Sequence, residues 1–137
     1  MACLHPAKNY RSESRNDASI VLSLAYKDFR MLFTGDLEER GEKLLTEQYA
    51  AVTGGYDVIK AAHHGSGYST GEAFLTWSRP LAAVISCGKN NRYGHPHPDM
   101  LERLDRHGTK AYITKEGGAV TVSTDGKSFK IDEFLLE

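Results

Sequence analysis

The stretch Asp57-Val58-Ile59-Lys60-Ala61-Ala62-His63-His64-Gly65-Ser66 decides how the chain folds. An apolar run from Val58 to Ala62, broken only by Lys60, follows a Gly54-Gly55 turn, and its length predicts a buried strand over 57–62. The run ends abruptly in two histidines, a glycine and a serine. In α/β proteins the loops at the carboxyl ends of strands are exposed while the strand fixes their position, so sites gather there. Neutral imidazoles in such a place act as metal ligands or as acid–base groups. Leu32-Phe33-Thr34-Gly35-Asp36 forms a second strand end and delivers a carboxylate in the same way.

Upstream of these ends, residues 1–18 read as a polar lead-in, loop-like over 5–18. The alternation Ile20, Leu22, Leu24, Tyr26 predicts a strand with one buried face, Lys27-Asp28 a turn, and Phe29 to Thr34 the return strand of a hairpin. Phe29, Met31 and Phe33 face the side opposite to Leu32 and Thr34, so both faces of the hairpin are apolar. Leu37 to Val52 reads as a helix, with Leu45, Tyr49 and Val52 on its apolar stripe and Glu38, Glu39, Glu42 and Lys43 toward water.

Downstream, Ser69 or Thr70 caps a short helix containing Ala73, Phe74 and Trp77, which Pro80 ends. Leu81 to Ser86 is a further strand. A long polar loop, Cys87 to Pro96, leads to a helix over 98–107 that opens on Pro98, buries Met100, Leu101 and Leu104, and stops at Gly108. Three short strands, 110–114, 118–123 and 127–131, close the chain around Gly117-Gly118 and Asp125-Gly126 turns, leaving 132–137 as a tail. The order β-β-α-β-α-β-α-β-β-β is that of a layered α/β domain.

At 137 residues, with 40% apolar residues and a net charge of −1, the chain makes one domain or part of one and carries no broadly basic surface. No run approaches the ~20 apolar residues of a membrane helix. The first residues lack the pattern of a signal peptide, and Cys3 and Cys87 match no zinc or redox spacing.

A strand-end aspartate and a strand-end histidine pair suit a divalent cation, since zinc accepts carboxylate oxygen and imidazole nitrogen. Asp36 equally suits the N-cap of the helix that follows, with Glu39 completing a capping box. Adjacent histidines on an extended chain point to opposite sides, so one of His63 and His64 faces the ion. In His95-Pro96-His97-Pro98-Asp99-Met100 the helix start has first claim on Pro98 and Asp99, which leaves His95 as the functional candidate. Lys60, Lys89, Asn91, Arg92 and Ser66 are candidates to hold a phosphate. Gly65-Ser66-Gly67 is no nucleophile elbow.

Several strings together resemble ComEC-type competence proteins. They are Asn16-Asp17-Ala18-Ser19-Ile20-Val21-Leu22, Thr34-Gly35-Asp36-Leu37-Glu38 with Glu42, and Ile59 through Ser66 with Ser69-Thr70. Ser86-Cys87-Gly88, Asn91-Arg92-Tyr93-Gly94-His95-Pro96, and Thr114 with Gly117-Gly118 continue the likeness from about Leu4 to about Ile131.

The resemblance implies the second half of a metallo-β-lactamase-like αββα sandwich, with a zinc- or manganese-dependent hydrolase site at one edge. It further implies a nuclease acting on single-stranded or duplex DNA during uptake, on the extracytoplasmic side of a bacterial membrane protein, with the channel portion of the same chain as neighbour. On that reading Asp36 bridges metals, His64 rather than His63 is the histidine ligand, His95 meets the phosphate, and Ser66 and Asn91 line the pocket. The family's H-x-H-x-D-H ligands would lie upstream and are absent here. The isolated chain is therefore expected to retain zinc weakly or not at all, to be inactive alone, and to self-associate through the face its missing half would cover. A free-standing phosphoesterase of the same fold, cytoplasmic or secreted, and a non-catalytic binding domain are the alternatives.

Overall fold

The computed structural model describes residues 1–12, 14–52 and 55–135. Gly54 of the Gly54-Gly55 turn and the last two residues of the tail lie outside them. A six-stranded sheet runs in chain order, β1 (Ala2–His5), β2 (Val21–Tyr26), β3 (Phe29–Phe33), β4 (Val58–Lys60), β5 (Ala82–Ile85) and β6 (Lys110–Ile113). β1 to β3 are antiparallel neighbours and β3 to β6 are parallel. The parallel strands are joined by α1 (Glu39–Gln48), α2 (Glu72–Ser78) and α3 (Pro98–Arg106).

This order explains the layering. Right-handed crossovers between parallel strands that never reverse direction along the sheet put every connecting helix on one face. Leu45, Phe74, Leu75, Met100 and Leu104 accordingly share one core with Leu32, Ile59, Ala83 and Ile85. On the other face, a hairpin of β7 (Ala119–Thr124) and β8 (Phe129–Phe134) sets Val122, Phe129 and Ile131 against a core of Phe29, Val58 and Ala82. Its turn is tied down where the Gly126 carbonyl accepts from the N–H groups of Asp28 and Phe29. Leu22, Leu24, Met31 and Phe33 on this face remain half-buried.

The α/β class and the alternation of helices and strands match the sequence reading, and several details differ. The lead-in contains β1, which pairs with β2, and β8 extends into the tail as far as Phe134. In β2 the helix-covered face belongs to Val21, which is fully buried, while Ile20 is 61% exposed, so the expected stripe from Ile20 to Tyr26 is not the buried one. α1 is shorter than 37–52 and starts at Glu39, with no side-chain cap. Asp36 therefore does not cap it; the Asp36 N–H donates to Ser19 Oγ at 3.2 Å instead.

Glu42, expected toward water, is 5% exposed. Its carboxylate accepts from the N–H groups of Thr70 and Gly71, at the start of α2. Neither Ser69 nor Thr70 caps α2: Gly71 stands at its N-cap and the helix has no side-chain cap. α3 follows the expectation: Pro98 is its first residue, and the His97 ring accepts from the Asp99 N–H at 3.2 Å as its cap.

Candidate functional site

The carboxyl ends of β3, β4 and β5 lie side by side, and hydrogen bonds lock the first two together. Thr34 Oγ1 donates to the Lys60 carbonyl at 2.6 Å, and the His63 N–H donates to the Gly35 carbonyl at 3.1 Å. Gly35 has φ +57, and a Cβ there would meet Ser19 Cβ at 3.1 Å, so the turn that carries Asp36 requires glycine. The histidines do not continue the strand. His63 and His64 both adopt left-handed backbone, with φ 47 and 56, in a tight turn over Ala62–Gly65. The expectation of opposed side chains on an extended chain therefore fails: the two rings stand 6.4 Å apart on one side of the sheet's edge.

Asp36 Oδ1 lies 3.7 Å from His64 Nε2. The other ring nitrogen, Nδ1, is 2.7 Å from the Ser86 carbonyl, which accepts only, so Nδ1 carries the proton. In the neutral ring the lone pair is then on Nε2, facing the carboxylate. A cation held between them would meet a lone pair from each, and two ligands each ~2.0–2.2 Å from one ion stand roughly 3–4 Å apart. The carbonyl contact on the far nitrogen is also the kind of partner that orients a metal-binding imidazole. His63 is placed differently, with Nδ1 3.1 Å from Glu38 Oε1 but not aligned as a hydrogen bond. Asp36 and His64 thus fit a metal as part of a ligand set. Among the described residues no group of three His, Cys, Asp or Glu side chains forms such a set.

An open pocket of about 380 Å³ lies over this pair, lined by Asp36, His63, His64, Cys87, Gly88, Asn91, Tyr93 and His95. His95 stands edge-on to His63 at 5.8 Å. Burial, then the neighbouring imidazoles of His63, His64 and His97, holds its pKa below the usual imidazole range. Asn91 lines the pocket, but its amide is engaged within its own loop: Nδ2 donates to the Gly88 and His95 carbonyls and Oδ1 accepts from the His95 N–H, each at 2.8 Å. Asn91 is a positioning residue for His95.

Ser66 is buried beneath the turn, where its hydroxyl accepts from the Tyr68 N–H, and it does not line the pocket. Lys60 is likewise no phosphate holder. Its ammonium donates to the Gly35 carbonyl at 2.8 Å and lies 3.9 Å from Asp36, steadying the aspartate's turn. Burial lowers its pKa while Asp36 opposes the shift.

The sequence reading missed Cys87 and Tyr93 as lining residues. Cys87 is held there by Thr114 Oγ1, which accepts from its N–H and donates to its carbonyl, both at 2.9 Å. Only the pairing of β5 with β6 brings these residues together, and no local pattern signals it. Tyr93 stands beside two singled-out residues, and its exposure was the missing signal.

A mixed sheet whose parallel strands bring a carboxylate and imidazoles together at adjacent ends defines an α/β domain with a strand-end site. The chain is 40% identical over 107 residues to ComE operon protein 3 of Bacillus subtilis (strain 168), a match covering 78% of this chain and 14% of that protein. It is 34% identical over 115 residues to Recombination protein 2 of Haemophilus influenzae, covering 84% of this chain and 14% of that protein. It is 35% identical over 105 residues to Competence protein ComA of Neisseria gonorrhoeae, covering 77% and 15%. No protein-family model matches the chain. The chain belongs to the ComEC-type competence proteins, and it spans about one-seventh of the length of these curated relatives. Among the described residues no helix is long and apolar enough to cross a membrane.

Proposed function

We propose that this chain supplies part of a metal-dependent phosphodiesterase centre that cuts DNA during its uptake by a membrane-associated parent protein, in a metallo-β-lactamase-like fold. The observation that carries the reading is the 3.7 Å approach of Asp36 Oδ1 to His64 Nε2, with the imidazole's other nitrogen fixed on Ser86. The relatives' names, which speak of competence and recombination, support DNA as the substrate. Asp36 and His64 would hold the ion. Zinc or manganese, when bound, supplies Lewis-acid polarisation of a phosphoryl oxygen and lowers the pKa of water.

The chain's own residues do the remainder. Lys60 and Ser19 hold the Asp36 turn in place. His95 is kept neutral at physiological pH and stands across the pocket, where its ring N–H can donate to a phosphate oxygen. Asn91 fixes the backbone that presents it. The test is a nuclease assay with metal analysis on the complete gene product, with manganese or zinc supplied. Asp36→Asn and His64→Ala are expected to abolish hydrolysis. His63→Ala should be milder, and His95→Ala should lower the rate while leaving metal content intact. An Asp36→Asn protein as active as wild type would overturn the reading.

A further inference from the structure

Tyr93 is 69% exposed, an unusual position for a ring that also lines the pocket over Asp36 and His64. A scattered exposed aromatic needs no explanation by itself, but this one is held in place. The three Asn91 amide bonds brace the segment from Gly88 to His95, and Lys115 Nζ donates to the His95 carbonyl at 3.4 Å. The Arg92 guanidinium carbon lies 5.4 Å from the Tyr93 ring centroid, and its Nη2 is 3.5 Å from the Tyr93 hydroxyl. The His95 ring is 5.8 Å away, tilted by 38°. A planar cation, an exposed aromatic face and an imidazole thus line up along one rim.

We infer that Tyr93, backed by Arg92, is a stacking platform for the nucleobase beside the phosphate in the pocket, so that the site selects strands whose bases are unpaired. The inference rests on the phosphodiester reading above. Bases stack on aromatic side chains whatever their identity, because every base has a π-face. A base inside a duplex has both faces covered and must leave the stack to reach such a ring. The Arg92 guanidinium matches phosphate oxygens in geometry and charge. Tyr68, 80% exposed, offers no equivalent: the exposed Glu39 carboxylate lines its pocket, and the one cation there, Arg103, is committed to the carbonyls of Gly67, Ser69 and Thr70.

The test is fluorescence anisotropy with the full 137-residue chain and no added metal, at low salt. The probes are a labelled thymidine strand of about twelve nucleotides and an abasic strand with the same number of phosphates. The thymidine strand should bind about tenfold more tightly. Tyr93→Ala should erase that margin without changing abasic binding, whereas Tyr93→Phe and Tyr68→Ala should keep it. Arg92→Gln should weaken both strands alike and flatten the salt dependence. Equal wild-type binding of the two strands would overturn the platform alone, as would a margin that survives Tyr93→Ala or disappears in Tyr68→Ala. Binding of neither strand would overturn the phosphodiester reading together with the platform.

Discussion

Glu42 makes the structure's most specific stability prediction. Its carboxylate is 5% exposed between α1 and α2 and accepts from the N–H groups of Thr70 and Gly71. Arg103 holds the same segment from the other side, donating to the carbonyls of Gly67, Ser69 and Thr70. Burial raises the Glu42 pKa from 4.5 to about 7, with Glu39 adding to the rise, against the two backbone bonds and the Arg103 charge. The folded value lies above the unfolded one, so the folded state holds a proton that the unfolded state has released. The group's contribution is therefore fully present below about pH 4.5 and is lost as pH rises through about 7. At about 1.4 kcal/mol per pH unit, that gap amounts to roughly 3 kcal/mol.

Glu42→Gln removes the titration and costs a hydrogen bond at every pH, since the amide can accept from one N–H while its NH₂ faces the other. The absolute stabilities of the two proteins therefore matter less than their difference. Urea unfolding followed by circular dichroism, between about pH 4.5 and 8, should show Gln gaining roughly 3 kcal/mol on Glu. Parallel curves would refute the argument. A wild type that gains on the variant as pH rises would do so more sharply, since the hydrogen bonds would then outweigh burial.

Two further expectations follow from packing. Gly65 has φ +85, and a Cβ there would meet Pro96 Cβ at 2.7 Å and Met100 Cε at 2.8 Å, so Gly65→Ala should lower Tm by about 10 °C in a calorimetric scan; an unchanged Tm would mean that the histidine turn is not pressed against the His95 loop. Leu22, Leu24, Met31 and Phe33 are half-buried on the sheet face that the β7–β8 hairpin leaves partly open, so sedimentation should show concentration-dependent self-association. A clean monomer at high concentration would contradict that.

Much of this was legible in the sequence where the signal is local. Pro98 at the head of α3, Gly108 at its end and the Met100–Leu104 stripe depend on neighbours within two turns, and the helix formed as read. The placement of Asp36 and the histidines at strand ends was legible for the same reason, since a run of apolar residues stops where polar ones begin. What failed depended on distant partners. Glu42 looks like a surface residue on its own helix, and only the donors at Thr70 and Gly71, 28 and 29 positions later, make a buried carboxylate tolerable. β1 is a strand because β2 lies beside it. The histidine pair was read as extended, whereas Gly65 and the Pro96 loop hold it in a left-handed turn that no residue preference of histidine would announce.

Crystals of the complete gene product soaked in manganese would test the central claim most directly, through anomalous scattering at the manganese edge. The account predicts a peak between Asp36 Oδ1 and His64 Nε2, about 2.0–2.3 Å from each, and its loss in Asp36→Asn crystals. A peak beside His63 and Glu38, or one between His95 and His97, with none at Asp36, would contradict it.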